Sequence, residues 1–182
     1  MRPSRIDVQP YQARFIQPFQ TAAGTLTERH GLIVRATDGE GRCGYGEAAP
    51  LPGFSDESLV DVACEFEGLA GLPWPKAFQE LKSLDAISEA CTALLQTPSA
   101  RHGLELALCD LLAQERGVPL VNLFNPDASL HAETARVARR GDDALAAVRD
   151  GVRTLKLKVG MKSLADDVAT VSEIRRLVGQ DT

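Results

Sequence analysis

The chain of 182 residues carries 20 Lys and Arg against 25 Asp and Glu, for a formal net charge of −5, and 44% of it is hydrophobic. This composition is typical of an ordinary globular protein with one large or two small domains. The acidic surplus excludes a protein that neutralises nucleic acid phosphates, and it disfavours anionic membrane surfaces. Since no apolar stretch approaches the ~20 residues that cross a bilayer, we expect a cytoplasmic protein with neither nucleic acid nor membrane as a partner.

The first part of the chain predicts an antiparallel meander of strands. Residues 4–16 and 31–37 are rich in strand-forming side chains, and residues 42–47 follow the strong hairpin signal Asp-Gly-Glu-Gly at 38–41. Between the first two strands, residues 21–27 are small and hydroxylated, so we expect a mobile loop there.

The following part changes to helical periodicity, which predicts three helices. Ser55 is the expected N-cap of the first helix, and Gly71 its end. The later helices are expected at about 76–96 and 99–116. Strands followed by helices indicate an α+β domain, which we place at residues 1–128.

Beyond that domain the pattern becomes β-α-β-α, the repeating unit of a parallel sheet or barrel. Strands are expected at 134–138 and 154–159, with a helix at 142–149 between them. Ser163 resembles the start of a capping box and opens a second helix. The apolar side chains of this helix that we expect to face inward are Leu164, Val168, Val171, Ile174 and Leu177.

Cysteine usage is sparse and unpaired. The four cysteines have no close spacing, which excludes a zinc knuckle and a redox CxxC motif, and a chain of this size needs no disulfide framework. We expect buried, reduced thiols at Cys43, Cys64, Cys91 and Cys109.

Residues 44–49, Gly-Tyr-Gly-Glu-Ala-Ala, formally match the dinucleotide fingerprint G-x-G-x-x-A. That fingerprint needs a helix N-terminus directly behind it, whereas Pro50 and Pro52 follow here. The pattern therefore favours a glycine-rich strand end. With Phe54, the two prolines form a rigid, partly apolar loop of the kind that lines a small-molecule site.

Lys156 and Lys158 lie two residues apart on the predicted strand 154–159. The period of a strand puts both lysines on one face and the apolar residues on the other: Leu155, Leu157 and Val159. An exposed edge strand also carries lysines to prevent aggregation, and that alternative stays open. If helices cover the apolar face, the lysines point into a barrel interior or across the mouth of a sheet, with Lys158 nearer the strand end where barrel active sites are built.

The spacing of the two lysines suggests what they need in order to act. At a rise of about 3.3 Å per residue they lie roughly 7 Å apart, and their repulsion is about 2.4 kcal/mol at an effective dielectric of 20. This repulsion alone does not produce a good base at neutral pH, so desolvation and a nearby divalent cation would have to assist. The pair therefore implies a metal, although the Asp and Glu residues suggest no site for one.

Three segments, in chain order, resemble the o-succinylbenzoate synthase family of the enolase superfamily: residues 44–58, 98–110 and 155–160. The Pro-Leu-Pro-Gly-Phe-Ser segment is fairly specific to that family. The Lys-x-Lys pair is shared with the wider subgroup of muconate-lactonising enzymes, racemases and dipeptide epimerases. The resemblance implies an α+β capping domain at 1–128 and the first β/α units of an incomplete (β/α) barrel at 129–182.

The resemblance also implies a Mg²⁺-dependent lyase. The expected reaction is syn elimination of water from the carboxylate SHCHC to give o-succinylbenzoate, in menaquinone or phylloquinone biosynthesis. Lys158 would move the proton next to the substrate carboxylate, Lys156 would support it, and Mg²⁺ would stabilise the enediolate. The substrate-binding residues that the resemblance implies, on segments closing over the substrate, are Thr21, Gly24, Pro52, Gly53, Phe54 and Ser55.

The family's metal-binding carboxylates would lie beyond Thr182, so the resemblance assigns no metal ligand within these residues. A complete barrel uses roughly 250 residues, so we expect the 182 residues alone to be inactive. Unpaired barrel strands would favour self-association or a complementing barrel segment. Two alternatives remain open: a dipeptide epimerase or N-acylamino acid racemase of the same superfamily, and a non-catalytic assembly or binding fragment.

Overall fold

The structure, a computed structural model, describes residues 1–21, 24–69, 78 and 81–182. It divides into two compact units, Met1–Ala128 and Ser129–Thr182. The elements described in the first unit are β1 (Pro3–Thr21), β2 (Gly24–Asp38), β3 (Cys43–Ala48), α1 (Leu59–Leu69), α2 (Leu84–Leu94), α3 (Pro98–Arg116) and α4 (Leu120–Phe124). The second unit contains β4 (Ala135–Val137), α5 (Gly141–Arg149), β5 (Thr154–Lys156) and α6 (Leu164–Val178).

The first three strands form an antiparallel sheet in the order β1-β2-β3, which confirms the predicted meander. The turn between β2 and β3 is built on Asp38, whose carboxylate accepts the backbone N–H groups of Glu40 and Arg42, both at 2.9 Å. The Arg42 guanidinium also donates to Asp38, at 2.7 Å. The side chain of Asp38 is buried, so these hydrogen bonds replace the water that it loses.

The pairing of β1 with β2 is irregular between Arg14 and Phe19 and resumes toward the end of the hairpin. Phe19 lies opposite Leu26, and Thr21 lies opposite Gly24. The mobile loop expected at 21–27 is therefore wrong for Thr21 and for residues 24–27, while residues 22 and 23 lie outside the described part. The physical reason is that threonine favours strands, and the Thr21 hydroxyl donates to the Gly24 carbonyl at 2.9 Å.

Helix α3 packs directly on β3 because two glycines remove the side chains between them. A Cβ atom at Gly44 would lie 2.1 Å from the Ala107 carbonyl oxygen, and one at Gly46 would lie 2.0 Å from the Gly103 carbonyl oxygen. The helix faces Leu32, Val34 and Ala36 of β2 in the same core. The glycine motif thus serves close packing of a strand against a helix, in line with the strand-end interpretation.

The predicted helix boundaries are partly wrong. Helix α1 begins at Leu59 because Ser58, and not Ser55, forms the cap: Ser58 N–H donates to the Asp61 carboxylate at 2.8 Å, and Asp61 N–H donates to Ser58 Oγ at 3.2 Å. The expected stop at Gly71 lies outside the described residues.

The second predicted helix is shorter than expected, and the third agrees with the sequence. Helix α2 begins only at Leu84, where the Ser83 side chain accepts Ala86 N–H at 3.2 Å. Of the residues 76–80 that we assigned to it, only Phe78 is described, and it is buried. Helix α3 ends as predicted at Gly117, whose φ of 65° is left-handed.

The second unit is the predicted β-α-β-α segment, with β4 and β5 paired in parallel. Its core consists of Ala138, Ala144 and Ile174, with Leu155 and Leu157 packed against them. The Ser163 cap of α6 is confirmed, because its Oγ accepts the N–H of Asp166 at 3.2 Å.

Several orientations predicted for the second unit are wrong. Strand β5 ends at Lys156, so Val159 is not on an inward face and is 59% exposed. Of the five side chains expected inside, Ile174 is buried and Leu177 is half-buried, but three are exposed: Leu164, Val168 and Val171. The reason is that the small core of this unit covers only the C-terminal half of the apolar stripe of α6.

The expectation for the cysteines holds for two of the four. Cys91 and Cys109 are buried, and burial raises their pKa to about 12 and about 11. Cys43 is half-buried, and Cys64 is exposed on α1, contrary to the expectation. All four are free thiols.

Candidate functional site

The segment after β3 folds into a closed turn at residues 51–55. The Leu51 carbonyl accepts the N–H groups of Phe54 and Ser55, at 3.0 and 2.9 Å, and Leu51 N–H donates to the Ser55 hydroxyl at 2.9 Å. Gly53 has a φ of 74°, which an L side chain rarely adopts. The turn is thus held by its own hydrogen bonds, and we call it the proline turn.

The proline turn displays three of the predicted substrate-binding residues. Pro52, Gly53 and Phe54 are exposed, and the Phe54 ring is 84% exposed. Ser55 is half-buried and uses its hydroxyl to close the turn. An exposed aromatic ring on a rigid turn is able to cover an apolar ligand group.

Three side chains that the sequence analysis did not single out lie beside the proline turn. The Arg29 guanidinium donates to the carbonyl oxygen of Pro50 at 2.9 Å and to that of Ala49. Tyr11 donates its hydroxyl to Glu47. Burial, together with the hydrogen bond to Glu47, raises the pKa of Tyr11, so its hydroxyl is protonated at neutral pH.

The two other predicted substrate residues of the first unit lie at the end of the β1–β2 hairpin. Thr21 and Gly24 face each other there, and the Thr21 hydroxyl bonds the Gly24 carbonyl. Nearby on β1, the rings of Phe15 and Phe19 stack with centroids 5.6 Å apart. Backbone pairing therefore brings Thr21 and Gly24 together in one place.

The lysine pair lies at the C-terminal end of β5, in the second unit. Lys156 is the last strand residue, and its carbonyl accepts Ala138 N–H at 3.1 Å. Lys158 follows two residues beyond the strand, which is shorter than predicted. Exposure still alternates, with Leu155 and Leu157 half-buried and both lysines exposed, so the lysines share the face opposite the core.

The chain after Lys158 is fixed by a side-chain contact from α6. Gly160 has a φ of 86°, and its N–H donates to the Asp167 carboxylate at 2.7 Å. The start of α6 is in turn capped by Ser163, which bonds the Asp166 carboxylate at 2.7 Å. Lys158 therefore lies between a paired strand and an anchored glycine. The C-terminal ends of parallel strands are where β/α proteins place their reactive groups.

No group of three or more His, Cys, Asp or Glu residues in the described ranges could hold a metal ion. The described residues therefore do not fit a Mg²⁺ site, and none of them is assigned as a ligand. Within the same ranges, no helix is both long and apolar enough to pass through a bilayer.

Both the sequence and the structure of the chain are similar to those of known proteins. The sequence profile of the family described as "MenC, N-terminal domain" matches residues 11–111. The chain is 29% identical over 185 residues to an L-Ala-D/L-Glu epimerase from Bacillus subtilis, and the match covers 98% of this chain and 50% of the relative. The chain thus spans about half the length of the curated relatives that it matches.

Solved structures show the same fold. A dipeptide epimerase from Enterococcus faecalis, complexed with Mg and the dipeptide L-Leu-L-Tyr, is 25% identical with a TM-score of 0.82, covering 100% of this chain and 52% of that one. An o-succinylbenzoate synthase from Thermosynechococcus elongatus, with Mg in its active site, is 23% identical with a TM-score of 0.68, covering 98% and 50%. These structures confirm a capping domain with antiparallel sheet and helices, followed by the start of a barrel.

Proposed function

The chain belongs to the family of MenC N-terminal domains in the enolase superfamily, and from this premise we propose that it is part of an enzyme that epimerises dipeptides. The B. subtilis relative, at 29% identity, and the E. faecalis structure, at 25%, are both epimerases by name. The o-succinylbenzoate synthase structure, at 23% identity, supports the fold alone. An isomerase is therefore better supported than the lyase expected from the motifs.

The observation that carries the proposal is the position of the lysine pair. Lys156 and Lys158 are exposed on one face where β5 ends, and Gly160 anchors the chain that follows. Epimerisation of a dipeptide needs a base beside the α-carbon of the residue whose configuration is inverted. An amine at the end of a parallel strand, on the face opposite the core, is suited to that part.

In the proposed step, the amine of Lys158 takes the α-proton next to the substrate carboxylate. The C–H bond breaks, an N–H bond forms on Lys158, and the electron pair moves into the carboxylate to give an enediolate. The positive charge of Lys156 stabilises the negative charge that develops there. Return of a proton to the opposite face of the α-carbon completes the inversion, and no described residue is assigned that part.

The first unit is proposed to contribute to substrate recognition. Its candidate contacts are the exposed residues of the proline turn and the end of the β1–β2 hairpin, Thr21 and Gly24. The Phe54 ring, 84% exposed on a rigid turn, suits an apolar side chain of a dipeptide. The proposal therefore includes dipeptides with an apolar side chain as substrates.

A second candidate function is o-succinylbenzoate synthase. It is favoured by the match of residues 11–111 to the MenC N-terminal family and by the Pro-Leu-Pro-Gly-Phe-Ser segment at 50–55. The same lysine would then remove the proton that is lost with water. Both candidates begin with proton abstraction next to a carboxylate, so the substrate distinguishes them.

The test uses the whole enzyme that contains residues 1–182, expressed from its own gene, which we call the source enzyme. L-Leu-L-Tyr and L-Ala-L-Glu are incubated in D₂O, α-deuteration is followed by NMR, and epimers are separated by chiral chromatography; SHCHC dehydration is assayed in parallel. We expect deuteration and inversion of a dipeptide. Turnover of SHCHC without any exchange in dipeptides would support the second candidate and overturn the first.

A further inference from the structure

The sheet of the first unit has one face covered by α3 and one face that carries polar side chains. Strand alternation directs Gly44, Gly46 and Ala48 toward α3, so Glu47 lies on the opposite face. Tyr11 and Arg29 lie on this opposite face as well, on β1 and β2. We call these three side chains the polar row: Tyr11, Arg29 and Glu47.

The polar row crosses β2 at Gly31. Tyr11 pairs with Gly31, and a Cβ atom at Gly31 would lie 2.6 Å from Tyr11 Cε1 and 2.8 Å from the Ala49 Cβ. The missing side chain lets the Tyr11 ring pass over β2 and bond Glu47 on β3. The polar row thus connects all three strands at the point where β3 ends.

The Arg29 side chain binds the backbone just after the pairing of β2 with β3 ends. The ladder between β2 and β3 reaches Leu32 opposite Ala48 and no further. The next two carbonyl groups of the chain, of Ala49 and Pro50, are the ones that accept from the two terminal nitrogens of the Arg29 guanidinium. A planar guanidinium with several N–H donors can bind two neighbouring acceptors at once, which a single ammonium does less well.

We propose that Arg29 is a positioning residue that fixes the direction in which the proline turn displays Phe54. The turn is closed by its own bonds around Leu51, so its orientation depends on the peptide group between Pro50 and Leu51, through which it joins the sheet. Arg29 holds the peptide groups that attach it to the sheet. That this orientation matters for substrate binding rests on the proposed function. That Arg29 attaches the proline turn to the sheet rests only on the hydrogen bonds.

Hydrogen exchange tests the attachment directly on the 182-residue chain. The Leu51 amide belongs to the peptide group whose carbonyl Arg29 holds at Pro50, and it donates to Ser55 Oγ. Arg29→Met frees that peptide group to rotate, which weakens the bond to Ser55 as well, so we expect Leu51 to exchange about tenfold faster. Arg29→Lys, which keeps one donor group, should give an intermediate rate. Arg35→Met is the matched control, because Arg35 lies on β2 and pairs with Asp7 at 2.7 Å.

In all three variants the exchange of Val34, a fully buried residue of β2, should match the unchanged protein. An unchanged Leu51 rate in Arg29→Met would overturn the proposal. Equal acceleration of Leu51 and Val34 would also overturn it, because Arg29 would then only stabilise the sheet.

The consequence for binding is measured with the source enzyme. Arg29→Met should raise KM for L-Leu-L-Tyr about tenfold and change kcat by less than about threefold, and Arg29→Lys should restore part of the loss. An unchanged KM with a loosened Leu51 would overturn the role in substrate binding. If the source enzyme epimerises no dipeptide, the proposed function fails, and exchange at Leu51 alone decides the role of Arg29.

Discussion

The two units differ in how completely each covers its own apolar side chains. In the first unit, Leu104 and Leu108 of α3 are 0% exposed, because the glycines of β3 let the helix backbone approach the sheet. In the described part of the second unit, α6 buries Ile174 but leaves Leu164 80% exposed. The same apolar periodicity therefore produces a complete interface in one unit and a partial one in the other.

The largest expected effect comes from closing the gap between β3 and α3. Gly46→Ala would place a Cβ atom 2.0 Å from the Gly103 carbonyl oxygen, and we expect it to lower the free energy of unfolding by about 3 kcal/mol. Gly68→Ala in α1 is the control, because its Cβ would meet nothing within 4 Å, and it should stabilise by about 0.5 kcal/mol. Urea unfolding followed by circular dichroism measures both. Equal effects of the two substitutions would contradict the packing role of Gly46.

A smaller effect is expected at the buried carboxylate of the β2–β3 turn. Burial opposes ionisation of Asp38, but the hydrogen bonds from Arg42 and Glu40 outweigh it and hold its pKa below the usual 3.8. Asp38→Asn should therefore cost about 2 kcal/mol at neutral pH.

Because the folded pKa of Asp38 is the lower one, its stabilisation is fully present above pH 3.8 and is lost as the pH falls through the folded value. Unfolding curves of Asp38→Asn and of the unchanged chain should converge in that acidic range. A difference that stays constant down to the lowest pH would show that the charge of Asp38 plays no part.

The smallest effect is expected on the exposed face of α6. Leu164→Ser should change the free energy of unfolding of the 182-residue chain by no more than about 0.5 kcal/mol, since Leu164 is 80% exposed. Sedimentation of Leu164→Ser and of the unchanged chain also tests the predicted self-association. A loss of about 2 kcal/mol would mean that this face is covered in solution, by a second copy if the sedimentation rate falls as well.

Local patterns predicted most elements, because helix caps and strand turns are encoded by neighbouring residues. The start of α6 at Ser163 and the end of α3 at Gly117 are examples. The prediction of Ser55 as the cap of α1 is wrong because Asp56 and Glu57, which follow it, also suit the first turn of a helix. The signal that could have decided it is Asp61, three residues after Ser58, since a carboxylate at that position completes a capping box.

Such local patterns do not predict contacts between residues that are far apart in the sequence. Arg29 bonds carbonyl groups that lie 20 and 21 residues further along the chain. Its spacing from Gly31 does suggest a shared face of β2, but not which backbone groups lie beside it. Likewise, periodicity showed which residues of α6 share a face, but not which of them a core covers.

The central claim is that Lys158, supported by Lys156, removes the α-proton of the substrate. Exchange of that proton by the source enzyme tests the claim most directly. With L-Leu-L-Tyr in D₂O, we expect Lys158→Ala to slow α-deuteration by about 10³-fold. Lys162→Ala, which changes another exposed lysine of the second unit, should leave the rate within about twofold of the unchanged enzyme. Deuteration by Lys158→Ala at the rate of the unchanged enzyme would contradict the assignment of Lys158 as the residue that removes the proton.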